Sequence, residues 1–239
     1  MIQFYADPKF IQGERLELRE QEAHHANNVL RLSAGDLFWA TDGQGKRYQA
    51  EVVQIGRNEI VGFIQKIEQH DSPKTRVSLA LAPTKQRQRL ETAIEKAVEL
   101  GVDEIYLMRS QRTERTKIRM DRLETIIITA LKQSLRTWRP TLHELQDFED
   151  IITNQSGKLW LAHEAISENQ LPGFTQAQQQ QIQDSSSIML LVGPEGGFTE
   201  EEVVAAQEQQ AELISLGTHR LRAETAVIAF LSLLLPFRT

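Results

Sequence analysis

Leu190-Leu191-Val192-Gly193-Pro194-Glu195-Gly196-Gly197-Phe198-Thr199 reads as an apolar strand that enters a glycine turn and leaves it as the start of a helix. Three glycines within five residues let the backbone turn sharply and come close to a ligand. Thr199 is placed as an N-cap, and Glu202 three residues on completes a capping box. Strand, glycine loop and helix N-terminus in that order put the loop at the carboxyl edge of an α/β sheet, where such folds bind ligands. It is not a phosphate loop, because no Gly-Lys-Ser/Thr follows. Nor is it the dinucleotide fingerprint, because the spacing differs and Pro194 sits inside it.

The surrounding sequence repeats the same alternation. Val77 to Ala82, Glu104 to Met108, Leu159 to Ala162, Ile188 to Val192 and Leu213 to Leu216 read as strands. Between the first two, Leu90, Ala93, Ile94, Ala97, Val98 and Leu100 form one helical stripe, which stops at Gly101. A second helix is predicted from Asp121 to about Trp138, with Pro140 ending it. Gln176 to Gln183 reads as a short surface helix or loop. Strands alternating with helices specify a largely parallel sheet covered on both faces. The strand at Leu213 ends in a second polar loop, Leu216-Gly217-Thr218-His219-Arg220-Leu221-Arg222-Ala223-Glu224-Thr225. Two loops after neighbouring strands can form opposite walls of one cleft. The apolar helix that follows, Ala226 to Leu235, needs burial on most of its surface, in the domain or in a subunit interface.

Before Pro73 the rhythm is different. Asp36 to Ala40 and Tyr48 to Gln54 flank a turn with Asp42-Gly43 at its centre, and Glu59 to Ile67 adds a strand. A helix over Glu20 to Leu32 interrupts them. The expectation is a small β-barrel over residues 1–72, a linker at Asp71-Ser72-Pro73, and an α/β domain over 73–239.

The chain has 239 residues, 40% of them hydrophobic, and no cysteine, which removes disulfides, thiolate metal sites and cysteine nucleophiles together. The N-terminus lacks the basic and apolar regions of a signal peptide, and no apolar run is long enough to span a bilayer, so a cytoplasmic protein is expected. His24 and His25 point to different sides of a helix and have no carboxylate spaced for coordination, so no metal is expected. Net charge is −6 overall, distributed as −3 up to Ser72, +7 from Pro73 to Arg139 and −10 thereafter. An acidic protein that gathers its positive charge in one segment offers a local patch to a polyanion.

The two C-terminal loops together, Val-Gly-Pro-Glu-Gly-Gly-Phe-Thr and Leu-Gly-Thr-His-Arg-Leu-Arg-Ala-Glu-Thr, resemble those of the bacterial 16S ribosomal RNA uridine-N3-methyltransferases, a branch of the trefoil-knotted SPOUT superfamily. Three further segments are similar: His25 with Val29-Leu30-Arg31, Lys85 through Lys96-Ala97-Val98-Glu99-Leu100-Gly101-Val102, and Gln133-Ser134 to Pro140. The resemblance runs from about Phe4 to Leu235. It implies a PUA-like barrel joined to a knotted α/β domain, a homodimer, and S-adenosylmethionine bound between the two loops. Leu161, Val192, Gly193, Pro194, Glu195, Gly196, Gly197, Leu216, Gly217, Leu221, Arg222, Ala223 and Thr225 are the implied cofactor contacts. The implied partner is 16S ribosomal RNA of the small subunit. Two departures are Lys132, where the family commonly has an acidic residue, and Leu135, where it commonly has glycine.

N3 of uridine is a poor nucleophile while protonated, so a site must remove that proton or stabilise negative charge growing on O2 and O4. A planar guanidinium suits the second task. Arg222, with Arg220 beside it, is therefore the candidate catalytic group. Glu195 and Glu224 read as carboxylates that fix the loops by accepting backbone N–H bonds. His25, Arg31, Lys85, Arg87, Arg89, Arg112 and Arg136 are candidate RNA contacts of the sequence-blind, phosphate-binding kind. Trp138, between Arg136 and Arg139, is the candidate for base stacking. A methyltransferase of another RNA, such as a tRNA, and a non-catalytic ribosome-assembly factor remain open at this point.

Overall fold

A computed structural model describes residues 2–163 and 175–237. It divides into two units, Met1–Ser72 with Ile128–Arg139, and Pro73–Ile127 with Pro140–Thr239. The segment Ile128–Arg139 thus belongs with the N-terminal residues, although the sequence reads it as part of the α/β stretch.

The first unit is a six-stranded sheet built from β1 (Gln3–Tyr5), β2 (Ile11–Gln12), β3 (Arg15–Arg19), β4 (Leu37–Thr41), β5 (Lys46–Ile55) and β6 (Glu59–Gln69), in the order β1-β4-β5-β6-β3-β2. Only β1 and β4 run parallel. Period-two alternation sends Leu16, Leu18, Phe38, Ala40, Tyr48, Ala50, Val52, Ile60 and Ile64 to one core, where Phe4 joins them. Asp42 closes the β4–β5 turn by accepting from the backbone N–H of Gln44 (2.7 Å) and Lys46 (3.1 Å) and from the Tyr48 hydroxyl (3.0 Å). The helix expected over Glu20 to Leu32 is broken up. α1 (Glu20–His24) gives way to a π-helical turn at His25–Val29, and Arg31 then takes a left-handed φ of +55°. Wide turns of this kind concentrate at functional sites.

The second unit holds six parallel strands: β7 (Arg76–Leu81), β8 (Glu104–Arg109), β9 (Thr141–Asp147), β10 (Lys158–Ala162), β11 (Ser187–Val192) and β12 (Glu212–Ile214). Their order is β12-β10-β11-β7-β8-β9. All five ladders are parallel. β7 and β11 are almost wholly apolar and buried, as strands covered on both faces must be. β9 lacks that signal: on its edge Thr141 and Glu144 are exposed and Leu142 and His143 only half-buried, and the sequence did not mark it. The helices of the second unit are α2 (Arg87–Glu99), the first part of α3 (Met120–Gln133), α4 (Phe148–Thr153), α5 (Gln176–Asp184), α6 (Glu200–Glu208) and α7 (Ala223–Leu234); α3 from Ile128 onward belongs to the first unit. α2 buries the expected stripe, Leu90, Ala93, Ile94, Ala97 and Val98, and packs on α7. Burying each such leucine or isoleucine contributes about 1.5–3 kcal/mol. Ala80, Met108, Leu161, Met189 and Leu191 face a core completed by Phe148 and Ile151 of α4 and Ala206 of α6. No described helix is long and apolar enough to cross a membrane.

α3 ends at Gln133, five residues short of the predicted Trp138. Leu135 adopts φ +55° there, with Arg136 N–H donating to Leu131 O (3.1 Å) and Leu135 N–H to Lys132 O (3.2 Å). That is a Schellman cap, whose left-handed position glycine normally fills. The Leu135 departure therefore sits where the side chain strains the backbone most.

Candidate cofactor pocket

Because β11 lies between β10 and β7, the loop that leaves it opens in the middle of the carboxyl edge of the sheet. A cavity of about 440 Å³ lies there. One wall is the loop Gly193 to Phe198, the other the loop Leu216 to Arg222; Ala162 and His163 close it after β10, and Ala223 and Ala226 at the start of α7. The first wall is pinned by its own chemistry. Gly197 N–H donates to Pro194 O (2.8 Å), and Gly197 holds φ +67°, a conformation open to glycine at little cost. Thr199 caps α6 as expected: its hydroxyl accepts from Glu202 N–H (3.2 Å) while Glu202 accepts from Thr199 N–H (2.8 Å). The second carboxylate oxygen of Glu202 accepts from Gln111 N–H (2.7 Å), which ties the loop after β8 to the base of the glycine loop.

Two arginines grip the carbonyl side of the glycine loop. Arg220 donates to Glu195 O (2.7 Å), and Arg112 donates to Gly196 O (2.6 Å) and Phe198 O (3.3 Å). The Glu195 carboxylate accepts from Lys85 N–H (3.0 Å), the backbone role that the sequence assigns to it. Arg89 lies between Glu195 (4.0 Å) and Glu224 (3.8 Å).

Of the expected cofactor contacts, Val192, Gly193, Pro194, Glu195, Gly196, Gly197, Leu216, Gly217, Leu221, Arg222 and Ala223 line the cavity. Leu161 and Thr225 do not. Leu161 is fully buried in the core of the sheet, so its neighbour Ala162 reaches the cavity instead, and Thr225 faces outward on α7. The sequence missed Ala162, His163, Phe198, His219 and Ala226. Ala162 ends a strand read from the sequence and His163 follows it, so both could have been found from that reading; the others depend on which way the loops fold.

The expected RNA contacts divide between the units. In the first unit Arg31 is exposed, His25 packs edge-to-face on Phe4 at 5.6 Å, and the Arg136 carbonyl accepts from Gln3 (3.0 Å). Trp138 is held in place structurally, its indole N–H shared between His70 O (3.2 Å) and Asp71 O (3.0 Å). In the second unit Arg87 is exposed and pairs with Glu91 (3.1 Å). Lys85 pairs with Glu114 (2.7 Å), whose carboxylate holds the ammonium above its ordinary pKa. Arg112, which the sequence groups with the phosphate contacts, lies in the cavity wall.

Known proteins of similar sequence and structure agree with this arrangement. Residues 70–235 match the RNA methyltransferase domain family, and residues 18–65 match the RNA methyltransferase PUA domain. A Rickettsia conorii protein named ribosomal RNA small subunit methyltransferase E is 29% identical over 230 residues, covering 94% of this chain and 91% of its own. A probable rRNA methyltransferase from Porphyromonas gingivalis superposes with a TM-score of 0.84 at 31% identity, covering 100% of this chain and 98% of its own. The ribosomal RNA small subunit methyltransferase E of Neisseria gonorrhoeae, solved bound to S-adenosyl methionine, superposes with a TM-score of 0.84 at 25% identity, over 99% of this chain and 97% of its own. With a matching domain over most of its length and a glycine-loop cavity at the carboxyl edge of its sheet, this chain belongs to the RNA methyltransferase family.

Proposed function

We propose that the protein uses S-adenosylmethionine to methylate N3 of a uridine in 16S RNA of the small ribosomal subunit. The cavity between the Gly193 and Leu216 loops carries this reading. Its volume falls within the ~300–1,000 Å³ of small-molecule sites. Its walls combine glycines and apolar residues such as Val192, Leu216 and Leu221 with a few polar ones, Glu195 and Arg222 among them, as small-molecule sites do. When bound, S-adenosylmethionine supplies an electrophilic methyl group on a sulfonium. The two loops hold and orient it, and orientation supplies most of the acceleration for such a transfer.

Arg222 is the group proposed to steady charge on the uracil oxygens. It lines the cavity at the N-cap of α7, and among the described residues no ion pair or side-chain hydrogen bond engages its guanidinium. Arg220, by contrast, is already committed to Glu195 O. Residues 1–72 are proposed as the PUA-like RNA-binding part and 73–239 as the methyltransferase part, with His25 and Arg31 in the first and Lys85, Arg87, Arg89 and Arg136 in the second meeting phosphates. A homodimer belongs to the same reading, since Ile228 on α7 and Leu235 just beyond its end are exposed (36% and 46%). Its substrate makes the protein cytoplasmic.

Two measurements test the reading. Calorimetric titration with S-adenosylmethionine is expected to show one site per chain; no heat at millimolar cofactor rejects it. Mass spectrometry of 16S RNA from a deletion strain is expected to show loss of N3-methyluridine. Unchanged content there, with a methyl group lost from tRNA, points to the other RNA substrate.

A further inference from the structure

We propose that Arg112 is a positioning residue of the cofactor site, a clamp that holds the glycine loop in its ligand-ready turn from outside the two loop motifs. The inference rests on the reading of the cavity as the S-adenosylmethionine site. Arg112 is distant in sequence from that loop, yet its Nη1 donates to Gly196 O at 2.6 Å and Phe198 O at 3.3 Å. Those two carbonyls flank Gly197, the left-handed residue of the turn. One guanidinium therefore ties both sides of the loop's left-handed residue, with charge-assisted bonds of roughly twice the ordinary strength.

The clamp is itself rigidly mounted. Ser110 to Thr113 is a tight turn, with Thr113 N–H donating to Ser110 O (3.0 Å) and Ser110 N–H to Thr113 Oγ1 (3.0 Å). Gln111 N–H is anchored to Glu202 at the start of α6. The arginine stem also lies close against the loop, for a Cβ on Gly196 would sit 3.1 Å from Arg112 Cδ. A guanidinium committed in this way to two carbonyls is poorly placed to bind an RNA phosphate. It instead stands at the point where the basic segment continuing through Arg115, Lys117 and Arg119 meets the cofactor loop.

The test compares wild type, Arg112→Ala and Arg112→Lys by calorimetry with S-adenosylmethionine, by fluorescence anisotropy with a 16S RNA fragment, and by thermal melting. Losing two charge-assisted bonds is expected to raise the cofactor Kd about tenfold or more in Arg112→Ala, with RNA affinity changed less than about threefold. Arg112→Lys keeps the charge and can reach one carbonyl, so its cofactor Kd is expected between the two; it also carries the test if the alanine variant does not fold. Weakened RNA binding with unchanged cofactor affinity would make Arg112 a phosphate contact and overturn the clamp. A lowered melting temperature with both affinities intact overturns it too. If the wild type binds no S-adenosylmethionine, the reading of the cavity fails, and the clamp with it.

Discussion

Replacing Glu202 by alanine removes one carboxylate that serves two loops. In the structure Glu202 is 2% exposed, and its two oxygens accept from Thr199 N–H at 2.8 Å and Gln111 N–H at 2.7 Å. The first bond is half of the capping box legible in the sequence; the second ties the turn after β8 to the helix that the glycine loop enters. Each N–H left without a partner in a buried place costs about 1–3 kcal/mol. Thr199 is itself buried, whereas Gln111 is exposed and water can reach its N–H, so its share falls at the low end. The expected loss is thus about 2–4 kcal/mol. For a chain of this size, that lowers the melting temperature by roughly 5–15 °C. Thr199→Ala is the control, because it removes only the cap and costs about 1 kcal/mol. Calorimetric melting of the three proteins, with S-adenosylmethionine titrated into each, checks both the stability and the loop. Glu202→Ala should be the least stable and bind cofactor more weakly than Thr199→Ala. A Glu202→Ala protein as stable as Thr199→Ala would show that the bond to Gln111 contributes nothing, and the account of how the two loops are joined would be wrong.

Other expectations concern the first unit and the RNA contacts. Gly45 has φ +92°, and a Cβ there would overlap the Trp138 indole and lie 2.9 Å from His70 O. Gly45→Ala should destabilise that unit by about 3 kcal/mol or more, read as a shifted urea midpoint, and an unshifted midpoint would contradict the packing. The Arg19 hydrogen bond, with Arg15 adding its charge, holds the Glu17 carboxyl below its ordinary pKa. A depressed carboxylate stabilises the fold above its unfolded pKa and loses that contribution as pH falls through the folded value. Glu17→Gln should therefore flatten the decline in melting temperature below about pH 4; parallel acid limbs would refute the pairing. Arg31→Glu should weaken RNA binding and lower the salt dependence by about one unit of slope, with cofactor affinity unchanged. A change in cofactor affinity alone would move Arg31 out of the RNA surface.

Much of the site was legible because its signals are local. Gly193, Gly196 and Gly197 after an apolar strand, Thr199 with Glu202, and the Gly101 stop are chain-neighbour chemistry, and each stands where the sequence placed it. The errors share a different cause. The helix read through to Trp138 stops at Gln133 because Leu135 takes a left-handed turn that nothing in its own side chain announces. β9 escaped notice because an edge strand needs no continuous apolar run. The helix read over Glu20 to Leu32 gives way after His24 to a π-turn, and Arg31 then takes a left-handed φ that its side chain does not announce.

By itself, then, the sequence determined the layered α/β class, the two glycine-bearing loops and the separate character of the first 72 residues, because backbone propensity and apolar period act over a few residues. Only the tertiary structure decided that β11 lies between β10 and β7, that Ile128–Arg139 joins the N-terminal unit, and that Arg112 reaches the loop and Gln111 the start of α6 from more than eighty residues away. Those are facts of strand order and loop approach. They follow from which surfaces bury one another in three dimensions, and no window along the chain contains both partners.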